Sequence, residues 1–310
     1  MARRASEVEE TLHGWGASPL PPPPQPNPTQ PNPTLTDRVI IIGGTAGIGA
    51  ALAAAAAASG ADVTVVGRTQ RDASLRFVRA DLQLMSTAQR VARELPAESV
   101  DVLVFTAGIV PGNVRQETAE RVELDMACSA LNRHVMLKEM VPRLKASARV
   151  LIWGFPGSGG GDYLKEASVQ DFNSTAKFHG GFGQAHMNTV ALNEALVLHW
   201  AAKGAMIAGF NPGLVVTDIR KPLHGGGADS CVESCIIPCC AGGLKTGPYV
   251  QKVLYTLTTP DLEANKGVMI HQDGTPIKQS PQMTPEVVAQ WIAAADGLAA
   301  SALATSGASK

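Results

Sequence analysis

Three glycines are the first residues in this chain whose types and spacing suggest chemistry. Residues 41–49 read IIGGTAGIG, with Gly43, Gly47 and Gly49 set between a β-branched run and an alanine-rich segment. Glycine lets a backbone turn sharply and approach a pyrophosphate without a Cβ in the way. A helix starting there offers free N–H groups and a positive dipole end to the phosphates. Thr45, Ala46 and Ile48 complete the loop. A glycine triplet alone also marks ordinary turns, and it is the preceding strand and following helix that point to a dinucleotide. The next strand ends Val65-Val66-Gly67 and leads to Arg68, with Arg71 nearby. An NAD site usually has an acid there for the ribose 2′-hydroxyl, whereas a guanidinium suits a 2′-phosphate, so the sequence favours NADP over NAD. The plainer reading leaves both arginines as solvated surface charge.

A second group is the cysteines. Residues 223–241 read LHGGGADSCVESCIIPCCA and hold Cys231, Cys235, Cys239 and Cys240, while Cys128 stands apart. Zinc sites usually join close cysteine pairs from separate elements, and Pro238 would distort the last turn of a helix here. The three-residue gaps formally allow chelation. The spacing nevertheless favours small apolar packing residues and no metal, with a redox pair as a third reading in which vicinal Cys239-Cys240 would be strained.

The elements that must position these residues alternate. Val39–Ile42, Asp62–Val66, Val100–Phe105, Arg149–Trp153 and Met206–Phe210 read as strands. Ile48–Ser59, Met126–Lys145 and Gly183–Lys203 read as helices. Another helix opens where Ser86 and Gln89 have capping-box spacing. A last helix starts at Thr284-Pro285 with Val288, Trp291, Ile292 and Ala295 on one face, and the C-terminal ASALATSGASK is expected to fray. This rhythm predicts one α/β domain over residues 36–300, a doubly wound parallel sheet of the Rossmann type. Residues 1–35 carry a proline run, SPLPPPPQPNPTQPNPT, and are expected to form a disordered tail.

The glycine loop with its Gly-x-x-x-Gly-x-Gly spacing resembles that of the short-chain dehydrogenase/reductase family. Asp81-Leu82, Thr106-Ala107-Gly108, Asn211-Pro212-Gly213 with Val215 and Thr217, and residues 267–274 (GVMIHQDG) follow in that family's order. The resemblance implies that Asp81 and Leu82 lie by the adenine, that Ala107 and Gly108 line the dinucleotide, and that Pro212, Gly213, Val215 and Thr217 lie beside the nicotinamide. It implies an oxidoreductase acting on a carbonyl or alcohol, with a mobile lid near residues 218–250 and a possible homo-oligomer.

The family's proton machinery is another matter. Its members use an Asn, a Ser and a Tyr-x-x-x-Lys. Laid on this chain, Ser129 takes the place of the Asn and Phe155 that of the Ser, with Ser158 three residues on. Phe182 and His186 take the places of the Tyr and Lys. Tyr163 has Ala167, not lysine, four residues later. His186 can be an acid or base, because histidine titrates near neutrality, or it can hold the ribose and do no chemistry. His134, His179 and His199 read as surface or satisfied core residues. Ser129 and His186 are thus the candidate catalytic residues, and a dinucleotide-binding protein without catalysis, a sensor or interaction partner, is the second reading.

Composition supplies enough apolar material for a sizeable core. The chain has 310 residues, 45% hydrophobic and 17% charged, with a formal net charge of −1. That balance favours neither nucleic acid nor an anionic membrane as partner, and the sequence shows no evident membrane-spanning run. Clustered cysteines suggest a reducing compartment, the cytoplasm or an organelle interior.

Overall fold

The structure is a computed structural model that describes residues 37–154, 163–213, 215–219, 245–258, 260–271 and 275–308. The expected tail, the cysteines at 231–240, Phe155, Ser158 and most of the expected lid lie outside the described residues.

Eight strands among the described residues form one sheet in the order β3-β2-β1-β4-β5-β6-β7-β8. They are β1 (Arg38–Ile42), β2 (Asp62–Gly67), β3 (Arg76–Arg79), β4 (Val102–Phe105), β5 (Arg149–Trp153), β6 (Met206–Asn211), β7 (Met269–His271) and β8 (Pro276–Ile277). All pairs run parallel except β7 with β8. The helices are α1 (Gly47–Ala58), α2 (Met85–Glu94), α3 (Leu124 to Met140), α4 (Tyr163–Glu166), α5 (Gln184–Ala202), α6 (Thr246–Thr258) and α7 (Pro285–Ala308).

Alternation along β1 explains the two layers. Ile40 and Ile42 join one core with the helices α2, α3, α5 and α7, while Val39 and Ile41 join the other beneath α1 and α6. Successive side chains of a strand leave opposite faces, so a run buried on both must be apolar throughout. The chain reverses its direction of winding between β1 and β4, the point where open α/β sheets take ligands at the strands' carboxyl ends.

Four local expectations are corrected. The strand β3 was not expected, because Arg76-Phe77-Val78-Arg79 lies at the sheet edge and is only partly buried. Ser86 and Gln89 do not form a capping box. The carboxylate of Glu120 caps α2 instead, accepting from the amides of Met85 and Ser86 and from Ser86 Oγ, while Gln89 reaches Glu139. The long helix α3 is not uniform: Leu124–Met126 is α-helical, Ala127–Leu131 a π turn and Asn132–Met140 α-helical again, with Pro142 in the 3₁₀ turn that ends it. Finally, α7 does not fray before Ala308, because Ala299 and Ala302 are buried in the core. Pro285–Gly307 is long and apolar enough to cross a membrane by length and composition, with mean hydropathy 1.4; its Trp291, Ile292 and Ala295 pack into the core.

Candidate active site

Two cavities meet at the carboxyl ends of β1 and β4. The first, about 450 Å³, is lined by Gly43, Thr45, Arg68, Asp81, Leu82, Ala107 and Cys128 among others. The second, about 460 Å³, is lined by Ile48, Ser129, Arg133, His186, Asn193, Pro212, Gly213, Val215 and Thr217 among others. Gly108 and Ile109 line both.

The glycine loop is fixed by close backbone packing. Gly43 has φ +93°, and a Cβ there would fall 2.3 Å from the Ala107 amide nitrogen. Its own amide donates to Val66 O at 2.9 Å, tying the loop to β2. Gly49 lines neither of the two cavities; a Cβ there would lie 2.4 Å from Gly43 O and from Thr106 Oγ1, so its role is packing. Ala46 begins α1 with no side-chain cap, which leaves the helix N-terminus open for an anion. Ala46 and Gly47 line a small recess beside the first cavity, and Arg71 stands in that recess, apart from Arg68. These features fit a dinucleotide: uncapped helix amides, backbone that admits no Cβ, and two connected chambers on either side of the loop.

In the second cavity the chemistry comes from α3 and α5. His186 is 7% exposed, and its Nδ1 lies 2.8 Å from Oδ2 of Asp125, whose exposure is 0%. The other carboxylate oxygen, Oδ1, accepts from Ser129 Oγ at 2.5 Å. Ser129 Oγ in turn accepts the Ile109 amide at 3.0 Å. One turn further, Arg133 is 2% exposed and donates to Ala107 O at 2.6 Å and to Asn193 Oδ1 at 2.8 Å. Burial pushes the Arg133 guanidinium down to about 9 while the Asp125 charge opposes the shift, and its Nε has no hydrogen-bond partner. Asn193 Nδ2 donates to Ser129 O at 3.0 Å, closing the network.

Glu123 caps α3 through the amides of Asp125 and Met126, and burial with the neighbouring Asp125 charge pushes its carboxyl up to about 7. Burial pushes the Cys128 thiol up to about 12, which makes it a poor nucleophile. Phe182 is 54% exposed and meets the His186 ring edge-on, centroids 5.4 Å apart. Trp153, stacked on Phe210 at 4.8 Å and donating from Nε1 to Tyr249 at 2.6 Å, forms part of the wall.

The structure therefore brings together Ser129 and His186, and the cavities gather Gly43, Thr45, Ile48, Arg68, Asp81, Leu82, Ala107, Gly108, Pro212, Gly213, Val215 and Thr217. Asp125, Arg133 and Asn193 are the residues that sequence reasoning missed. Their signal is spacing: Asp125, Ser129 and Arg133 recur every four residues on α3, and His186 and Asn193 are seven apart on α5, both separations that place polar groups on one helix face. Among the other histidines, His134 is buried, with Nε2 3.0 Å from Asp296 and Nδ1 unpartnered, so it is a core residue only partly satisfied.

This fold and site define a nucleotide-binding oxidoreductase of the doubly wound class. The short chain dehydrogenase family model matches residues 37–226, and the chain belongs to that family of NAD(P)-dependent oxidoreductases. It is 36% identical over 271 residues to an uncharacterized oxidoreductase of Saccharomyces cerevisiae, covering 82% of this chain and 85% of that protein. Solved structures share the fold. A short chain dehydrogenase family protein from Francisella tularensis matches with TM-score 0.57 and 17% identity over 77% of this chain and 98% of that one. A short chain dehydrogenase from Burkholderia cenocepacia, in complex with NADP, matches with TM-score 0.56 and 18% identity over 79% and 99%.

Proposed function

We propose that this protein is an NADP-dependent oxidoreductase that reduces a carbonyl or oxidises an alcohol on a small, largely apolar molecule. The observation that carries the reading is the pair of chambers joined at Gly108, one with Arg68 at its wall and the other with His186. When bound, the dinucleotide supplies or takes up the electron pair and hydrogen. The rest falls to this chain. Gly43, Thr45, Ala46, Gly47 and Ile48 hold the pyrophosphate, and Asp81, Leu82 and Ala107 border the adenosine. Pro212, Gly213, Val215 and Thr217 border the nicotinamide.

Phe182 has no proton to give. Among the described residues of the second cavity, His186 is the one imidazole, a group able to give and take a proton, so the proton passes through it. Apolar walls from Ile109, Val110, Trp153 and Val190 favour a substrate with little charge.

Arg68 tests the cofactor. Arg68→Ala should weaken NADPH by about 1.5–3 kcal/mol, the scale of a hydrogen bond to a charged group, and leave NADH unchanged in titration calorimetry. Equal weakening of both cofactors, or of neither, would remove the 2′-phosphate reading.

A further inference from the structure

We propose that Asp125 is the positioning residue of this site: its buried carboxylate holds His186 in the tautomer that turns Nε2 to the cavity as the proton-exchanging atom. The inference rests on the oxidoreductase reading above for its chemistry, but its geometry stands alone.

The hydrogen-bond roles can be assigned in order. Ser129 Oγ has one hydrogen. It accepts the Ile109 amide at 3.0 Å, and its hydrogen goes to Asp125 Oδ1 at 2.5 Å in preference to Ile109 O at 3.3 Å. Oδ1 is therefore an acceptor. Oδ2 meets His186 Nδ1 at 2.8 Å. An ionised carboxylate only accepts, so its contact with Nδ1 requires the hydrogen on that nitrogen. Nδ1 thus carries its hydrogen, and Nε2 is the nitrogen left for the cavity that His186 lines.

Packing keeps the pair in register. Asp125 sits on the first turn of α3, held by Glu123, which accepts its amide at 3.1 Å. The π turn Ala127–Leu131 lies between Asp125 and Arg133, and such turns are enriched at functional sites. Phe182 meets the ring on one side. Besides Asp125, the titratable or charged groups on the described elements around the ring are Glu123 at the cap of α3, Cys128, Arg133, His134, Lys138 and Glu139 of α3, Glu194 and His199 of α5, Lys177 and His179 of the loop before α5, and Asp218 beside Thr217.

In the reducing direction, Nε2–H of the imidazolium gives its proton to the substrate oxygen. The carbonyl carbon would gain a hydrogen together with its electron pair from the bound dinucleotide, forming the new C–H bond, and the former C=O π pair becomes the new O–H bond. The ring is left neutral with Nδ1–H still on Asp125, and solvent returns the proton to Nε2. Asp125 itself exchanges nothing, so it acts through His186.

Side-chain ¹⁵N–¹H spectra of the full chain, without cofactor and assigned with His186→Gln, read the tautomer directly. His186 is expected to be protonated at Nδ1, and Asp125→Asn is expected to change that pattern. With NADPH and a panel of aromatic and aliphatic aldehydes and ketones, Asp125→Asn should lower kcat/KM on the order of 10²-fold and displace its pH profile, with NADPH affinity within about threefold of the parent. Adding His186→Gln should cost little more, because residues that act as a unit are not additive. A wild-type His186 protonated only at Nε2, or an Asp125→Asn variant with an undisplaced pH profile, overturns the proposal. If Asp125→Asn does not fold, the wild-type spectrum decides. If no carbonyl is reduced while NADPH binds, the oxidoreductase reading fails on its own, and the tautomer still decides for or against Asp125.

Discussion

The chambers that meet at Gly108 are built from different material. The first relies on backbone: a left-handed Gly43, an uncapped helix start at Ala46 and the close approach of Ala107 to the loop. The second relies on side chains, with Asp125, Ser129 and Arg133 from α3 crossing to His186 and Asn193 from α5. A backbone cradle accepts few substitutions, since a Cβ at Gly43 or Gly49 meets main-chain atoms that cannot move aside. A side-chain network can be rebuilt as long as donors and acceptors match. The glycine loop keeps the spacing of the family pattern, while the side-chain network is where the resemblance lays Phe182 and His186 on the family's Tyr and Lys.

The contrast breaks most sharply at Gly43. Gly43→Ala places a Cβ against the Ala107 amide and forces a β-carbon residue to φ +93°. Strain and overpacking together should cost about 2–5 kcal/mol, seen as a melting temperature lowered by roughly 5–15 °C, and NADPH binding should be lost. A variant that melts and binds like the parent would show that the cradle is not limited by its backbone.

Arg133 is where the two regions touch, because Ala107 both packs on Gly43 and accepts from Arg133. Arg133→Met leaves Ala107 O and Asn193 Oδ1 without these donors and removes a buried cation near Asp125. Two orphaned acceptors, partly offset by the relief of a buried charge, should cost about 2–4 kcal/mol in denaturant unfolding. NADPH should weaken only a few-fold if the chambers are separable. A loss of binding as complete as that of Gly43→Ala would mean they are one unit.

How much of this was legible from residue types divides along the same line. Strand β5 was read with its observed ends, and β1, α1 and α5 to within one or two residues, because apolar runs bounded by glycine report burial directly. The cradle was legible because its three glycines stand between an apolar strand and an alanine-rich helix. The Asp125–His186 contact was not, since it joins residues 61 apart whose meeting depends on how α3 packs against α5. Nor was the cap on α2, where Glu120 acts from 34 residues away and Ser86 sits close enough to mislead. Long-range polar contacts leave only a weak trace in sequence, here the four-residue spacing on α3.

Glu194 marks the outer limit of the side-chain network. It follows Asn193 on α5 but does not line the cavity; it is buried, its Oε2 lacks a partner and Ser280 donates a backbone N–H to it. Burial pushes its carboxyl up from 4.5 to about 7. The folded chain therefore binds this proton more tightly than the unfolded chain, and the stability it brings is complete below about pH 4.5. That contribution is lost as pH rises towards about 7, because unfolding then releases the proton. Glu194→Gln, which cannot ionise, should remove this part of the decline and be more stable than the parent at pH 8 by on the order of 1–3 kcal/mol. Glu123, also raised to about 7, keeps its own share of the slope in both proteins. Chemical denaturation from pH 4.5 to 8 provides the comparison, with NADPH affinity measured alongside. Parallel stability curves would show that Glu194 is not charged at a cost in the native state, and a changed NADPH affinity would draw it back into the site.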